Sequence, residues 1–236
     1  MTYVGNIEGL GKIISLYGGF DEEMRLFDED GYKLVTAQDL AFAKMAAENT
    51  KNLDSFYLMH SGSWVREGVL YFPNNANTRI VLVRNSLILD NLDEAVKLHK
   101  CGKNYTVADK VAKECLERVA KKDASVFVVN DADKEGIVGP IHTNCFSEIG
   151  ITAWLFGNKS EDYGKSLKSE FGKINEVLLS FDSISYIDAQ AKPYAKQGWV
   201  EPQFSDFFSD FVFIGHRRCF GDYDNTQWMR ACGVKH

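Results

Sequence analysis

From residue 78 onward the chain alternates short β-branched runs with segments of helical periodicity, and this alternation is what most constrains its fold. TRIVLVRNSLIL, residues 78–89, reads as a strand, and NLDEAVKLHKC after it as a short helix. Val107, Val111, Cys115 and Val119 recur every fourth residue and predict one helix face, with Thr106 and Asp109 as a loose capping box in front of it. ASVFVVN and GIVGPIHT read as strands joined by the turn DADKEG, and SEIGITAWLFG as a third strand. Residues 164–180 carry the clearest helical pattern, with Leu167, Phe171, Ile174 and Leu178 at spacings of 4, 3 and 4. SISYIDA then reads as a strand, QAKPYAKQG as a short helix and FSDFVFIGH as a last strand. A three-strand meander followed by a right-handed βαβ step predicts an α/β chain of the α+β, mixed-sheet kind.

The first 75 residues read as a separate N-terminal extension, a helix plus a β-hairpin. In TAQDLAFAKMAAEN, residues 36–49, Leu40, Ala43 and Ala47 fall at helical spacing behind Thr36 as N-cap. SFYLMH and GVLYFP read as two strands around SGSWVRE. The polar, turn-forming PNNANT, residues 73–78, is the expected boundary. The expected division is residues 1–75, a main domain over 76–215 and a C-terminal tail over 216–236.

Composition narrows the classes of function. Hydrophobic residues at 45% and charged residues at 25% are the balance of a folded globular chain, not of a disordered one. No apolar run approaches the roughly 18 residues of a membrane span, and the N-terminus lacks the basic start and apolar stretch of a secretory signal. Five scattered cysteines without a CxxC predict reduced thiols and a cytoplasmic protein. The net charge of −6 argues against nucleic acid as partner and is compatible with cationic, amine-bearing ones.

The join at residues 156–171, FGNKSEDYGKSLKSEF, predicts a strand end, a polar loop with Gly157 and Gly164, and a helix start. Unpaired N–H groups and a partial positive charge at such a start suit phosphate. Gly164 would let the backbone approach a ligand, and Lys165 and Lys168 add positive charge. An ordinary strand-to-helix turn capped by Ser160 or Asp162 is the competing reading.

This loop resembles the pyrophosphate-binding motif of the GNAT superfamily of acyl-CoA-dependent N-acyltransferases. Phe156 stands at the strand end, Glu161 where the family has Gln or Arg, Gly164 at the first glycine and Ser166 at the second. AQAKPYAKQGW, residues 189–199, resembles the family's last helix, which ends Tyr-x-Lys-x-Gly-Phe, with Tyr194, Lys196, Gly198 and Trp199 on those places. NDADKEGIVGPI resembles its second and third strands around an acidic turn. The resemblance covers residues 79–214. An acidic Glu161, Ser166 in place of glycine and Pro193 within the helix depart from the pattern.

The resemblance implies a GNAT-like fold and acyl transfer, most simply acetyl transfer, from acetyl-CoA or another acyl-CoA to a primary amine. Trp154 and Phe156 would pair with the pantetheine arm. Glu161, Asp162, Tyr163, Gly164, Lys165 and Ser166 would cradle the pyrophosphate. Tyr194 would protonate the leaving thiolate, and Glu148 is the base candidate by position, with His142 and Asp188 behind it. A packing role for Tyr194 beside Trp199 and a solvated strand-end role for Glu148 stay open. The acceptor would be a small-molecule or protein amine, and the protein a monomer or homodimer. The alternative is a non-catalytic protein of the same fold that binds or docks a partner.

His216, Cys219, Cys232 and His236 form H-x2-C-x12-C-x3-H, a spacing that suits tetrahedral zinc. The unusual order of residue types and the flanking Arg217 and Arg218 lead us to expect no metal there. His142 with Cys145 lacks a helix start and a third, orienting group, so a cysteine nucleophile is not expected.

Overall fold

The structure is a computed structural model of the chain. It describes residues 3–16, 20–48, 62–72, 77–91, 93, 97, 107–169, 172–181 and 229–235. The fold is α+β with largely antiparallel sheets. The chain divides into two compact units, one of residues 1–66, 140–178 and 206–236, the other of residues 67–139 and 179–205.

The first unit is built on a five-stranded sheet. β1 (Tyr3–Ile7) and β2 (Gly11–Leu16) form a hairpin in which Val4 faces Ile14. Helix α1 (Phe20–Asp30) leads to the short β3 (Lys33–Leu34) and helix α2 (Ala37–Glu48). β4 (Gly62–Trp64) follows, and the chain returns at its far end as β12 (Met229–Lys235). β12 lies antiparallel between β2 and β3, with Cys232 opposite Ser15 and Gly233 opposite Leu34, and pairs in parallel with β4. Ile13, Ser15, Cys232 and Val234 are all buried. On the other side α1 approaches closely: a Cβ on Gly233 would stand 2.9 Å from the Phe27 ring.

α2 begins as its sequence predicts. The Thr36 hydroxyl accepts from Asp39 N–H and the Asp39 carboxylate accepts from Thr36 N–H, both at 3.1 Å, a reciprocal capping box. Leu40, Ala43 and Ala47 form its buried face.

The second unit carries the three-stranded sheet of β5 (Gly68–Tyr71), β6 (Ile80–Val83) and β7 (Val126–Val128). Every residue of the central β6 is buried, as a strand paired on both edges and covered on both faces should be. Helix α3 (Asp109–Ala120) packs against β7, with Ala112 and Cys115 fully buried. The fully buried Glu67 pairs with Arg84 at 3.3 Å.

Several expectations are corrected. The boundary at residues 73–78 falls inside a hairpin, because β5 pairs with β6 and Phe72 N–H bonds the Arg79 carbonyl at 2.8 Å. GVLYFP therefore finds its partner downstream, and SFYLMH lies outside the described residues. The expected tail supplies β12, a strand flanked by β2 and β3. The expected meander is absent: β7 belongs to the β5–β6–β7 sheet, and β8 (Ile137–His142) pairs with β11 (Glu176–Ser180).

Two elements exchange type. SEIGITAWLFG forms helix α4 (Gly150–Phe156) rather than a strand. Ile151 and Leu155, four apart, are both buried, and the Thr152 hydroxyl donates to the Phe146 and Ile149 carbonyls at 2.6 and 3.0 Å. A short apolar run fits either period, and here the buried i, i+4 pair decides. The long helix over residues 164–180 is replaced by the end of helix α5 (Ser160–Ser166), a small hairpin of β9 (Lys168–Ser169) and β10 (Gly172–Lys173), and β11. Gly172 weakens a helix interior, and pairing of β11 with β8 satisfies the backbone instead. NLDEAVKLHKC apart from Asn91, Asp93 and Lys97, and the elements read over residues 182–215, lie outside the described residues.

Candidate functional site

The segment singled out by sequence is a compact turn of the first unit. α4 ends at Gly157, whose backbone lies at φ 55° and ψ −133°, a conformation glycine adopts without strain. A 3-10 turn (Gly157–Lys159) follows, and α5 starts directly behind it. The Ser160 hydroxyl bonds the Gly157 carbonyl at 2.6 Å and the Thr152 carbonyl at 3.2 Å, tying the start of α5 back onto α4. α2 packs against α4 and α5, and the Gln38 side chain reaches Asn158 Oδ1 at 3.1 Å.

Each expected cofactor-binding residue has a definite place. Trp154 is half-buried on α4. Phe156 lies parallel to Phe146 with ring centroids 5.8 Å apart, and its other neighbour is Tyr163 at 4.8 Å, tilted by 56°. Tyr163 and Gly164 are buried within α5. Glu161 and Asp162 are exposed in the first turn of α5, where carboxylates match the partial positive charge of a helix start. Glu161 is held by Lys165 one turn on. The hydrogen bond from Lys165, and then its charge, lower the Glu161 pKa below the ordinary range, and the same contact raises that of Lys165. The Ser166 hydroxyl donates to the Tyr163 carbonyl at 2.9 Å.

Gly164 is the informative position. A Cβ there would run into the Thr143 carbonyl oxygen and stand 3.1 Å from the Phe146 ring. Close approach requires the glycine, as the sequence suggested, but the group that approaches belongs to the chain itself. The geometry of residues 156–166 is thus helix, turn and helix, not strand, loop and helix. Trp154 and Phe156, being helical, present no sheet edge.

The base candidates separate. Glu148 is exposed in the turn before α4, its N–H bonded to the Cys145 carbonyl at 2.9 Å. His142, at the end of β8, has its Nε2 3.2 Å from Glu176 Oε1 on the paired strand, and both side chains are more than half exposed. This supplies the orienting carboxylate that sequence alone did not place beside His142. Its only signal was Glu176 at the head of a β-prone run, EVLLS, which the helical reading of residues 164–180 masked. Tyr194, Asp188, His216, Cys219 and His236 lie outside the described residues. Cys232 is fully buried in β12. Among the described residues no helix is long and apolar enough to cross a membrane, and no three metal-ligating side chains converge.

No protein-family model matches the chain, and comparisons with curated proteins and with solved structures find no similar protein.

Proposed function

We propose that the chain is a binding or interaction protein whose α4–α5 turn is a packed structural junction. The single observation that supports this is the filled space at Gly164: the Thr143 carbonyl and the Phe146 ring pack against the open side of the glycine, so internal packing accounts for it without a ligand. The acidic first turn of α5 points the same way, because Glu161 and Asp162 place negative charge where a phosphate would have to sit.

A second reading, acyl-CoA N-acyltransferase of the GNAT type, rests on AQAKPYAKQGW with Tyr194 as general acid. In it acetyl-CoA or another acyl-CoA donates to a primary amine by direct attack, with Glu148 as base candidate. One measurement separates the two. Acetyl-CoA at a hundred times its Kd stabilises a protein that binds it by about 2.7 kcal/mol. The binding-protein reading expects no rise in Tm with acetyl-CoA and no thiol release over a panel of amines. A rise accompanied by thiol release, lost in Tyr194→Phe, would establish the transferase instead.

A further inference from the structure

We propose that Lys12 and Lys235 form a binding site for a phosphate-type dianion at the end of the β2–β12 ladder. The two lysines face each other directly in the antiparallel register. Both ammonium groups gather over one aromatic ring, Lys12 Nζ at 5.9 Å and Lys235 Nζ at 5.7 Å from the Tyr32 centroid. Like charges placed opposite each other in a ladder repel. Separate excursions into solvent would relieve that repulsion, yet both side chains converge on the same ring.

The ring supplies attraction for each cation, and the Asp30 carbonyl accepts one hydrogen bond from Lys235 Nζ at 3.0 Å. An ammonium has three donors, so Lys235 keeps two and Lys12 all three for another acceptor. The last turn of α1 is acidic, with Asp28, Glu29 and Asp30 exposed. Among the described residues, however, neither lysine is ion-paired with a carboxylate. Two cations gathered over one ring match a dianion better than a monoanion. Charge-assisted N–H···O contacts to phosphate are among the stronger hydrogen bonds, and lysine serves them as a point charge. The buried Tyr32 and the paired strands set the ring and the two lysine backbones side by side before any ligand arrives. The inference uses the first unit alone and is independent of the choice between the two readings of function.

The experiment uses the full chain and compares Tm in inorganic phosphate, in O-phosphoserine and in chloride at matched ionic strength and pH, with 31P line broadening as a second readout. Both phosphate compounds are expected to raise Tm above the chloride control. A larger rise with O-phosphoserine identifies a phosphate monoester as the ligand, and equal rises identify the free ion. Lys12→Met keeps the apolar stem over Tyr32 and removes the charge. Its Tm in chloride should equal or exceed that of the wild type, because repulsion is relieved, and its phosphate affinity should fall at least tenfold. Lys12→Arg, which keeps the charge, should retain the phosphate response. No phosphate-specific shift in the wild type would overturn the proposal. So would a response retained in Lys12→Met, or lost in Lys12→Arg. A Lys12→Met Tm below that of the wild type in chloride would also overturn it, since the lysines would then be clamping Tyr32.

Discussion

The carbonyl oxygen of Thr143 occupies the space in which a Cβ on residue 164 would have to stand. Thr143 is itself fixed, its N–H bonding the Asn175 carbonyl at 2.9 Å and its hydroxyl the Ile174 carbonyl at 3.0 Å. The carbonyl therefore cannot retreat without breaking the ladder beside it. Gly164→Ala should lower stability by about 1–3 kcal/mol, the usual cost of overpacking a tight contact, although alanine is the better helix former. Urea unfolding measures it. A variant as stable as wild type that had lost affinity for acetyl-CoA would return Gly164 to the phosphate-binding reading.

What could be read from sequence here was local. Thr36 and Asp39 sit three apart and bond to each other, so the start of α2 follows from residues that are chain neighbours. The buried Leu40, Ala43 and Ala47 follow from the same helix's period. β12 did not follow, because its partners in β2 and β3 lie about two hundred residues earlier and strand pairing over such distances leaves no periodic signal. The strand at residues 126–128 was legible but its sheet was not. At Gly164 the need for a close approach was legible, and the identity of the approaching group was not.

The N-terminal cap of α2 gives a quantitative check. Thr36→Ala removes the hydroxyl that accepts from Asp39 N–H and should cost about 1 kcal/mol. Thr36→Ser should restore nearly all of it. Equal stability of all three proteins in denaturant would show that the cap contributes nothing.

Helix α3 ends on a strained residue. Lys122 is at φ 53°, its N–H bonds the Val119 carbonyl and the Asp123 N–H bonds the Arg118 carbonyl, both at 3.0 Å. This is the paired hydrogen-bond pattern of a Schellman ending, in which the left-handed position favours glycine. Lys122→Gly should raise stability by about 1 kcal/mol through relief of the left-handed strain. Lys122→Val should lower it, and the same order in Tm would confirm the geometry.

The next residue supplies a pH dependence. Asp123 accepts from Ser125 N–H at 2.7 Å. Its pKa is lowered from the ordinary 3.8 chiefly by hydrogen bonds from the Ser125 side chain and backbone, with Arg118 and Lys121 adding attraction. A carboxyl whose folded pKa is depressed binds fewer protons folded than unfolded in this range, so its contribution is present above the unfolded value and is lost as pH falls through the lower folded one. The carboxyl resonance of Asp123 should thus titrate below 3.8, and Ser125→Ala should move it back upward. Coincident titration in the two proteins would remove Ser125 as the cause.

The strongest test of the architecture concerns Gly233 and the strand that carries it. β12 is flanked by β2 and β3 and also pairs with β4, so the last described residues of the chain hold together strands from its beginning. Gly233 faces α1, with its missing Cβ 2.9–3.0 Å from the Phe27 ring. Phe27 is buried and its ring also lies 6.3 Å from that of Tyr32, which limits how far it can move. Gly233→Val is a better strand residue by propensity, so an unpacked tail would tolerate it or gain from it. In the sheet described here it forces the ring of Phe27 aside and should cost about 1–3 kcal/mol. Gly233→Val combined with Phe27→Ala should recover part of that loss, because the cavity left by the ring admits the new side chain. Equilibrium unfolding of the two single variants and the double variant closes the cycle. Strict additivity would mean that the two positions do not touch and that β12 does not lie against α1, whereas a favourable coupling of at least about 0.5 kcal/mol is the expected result.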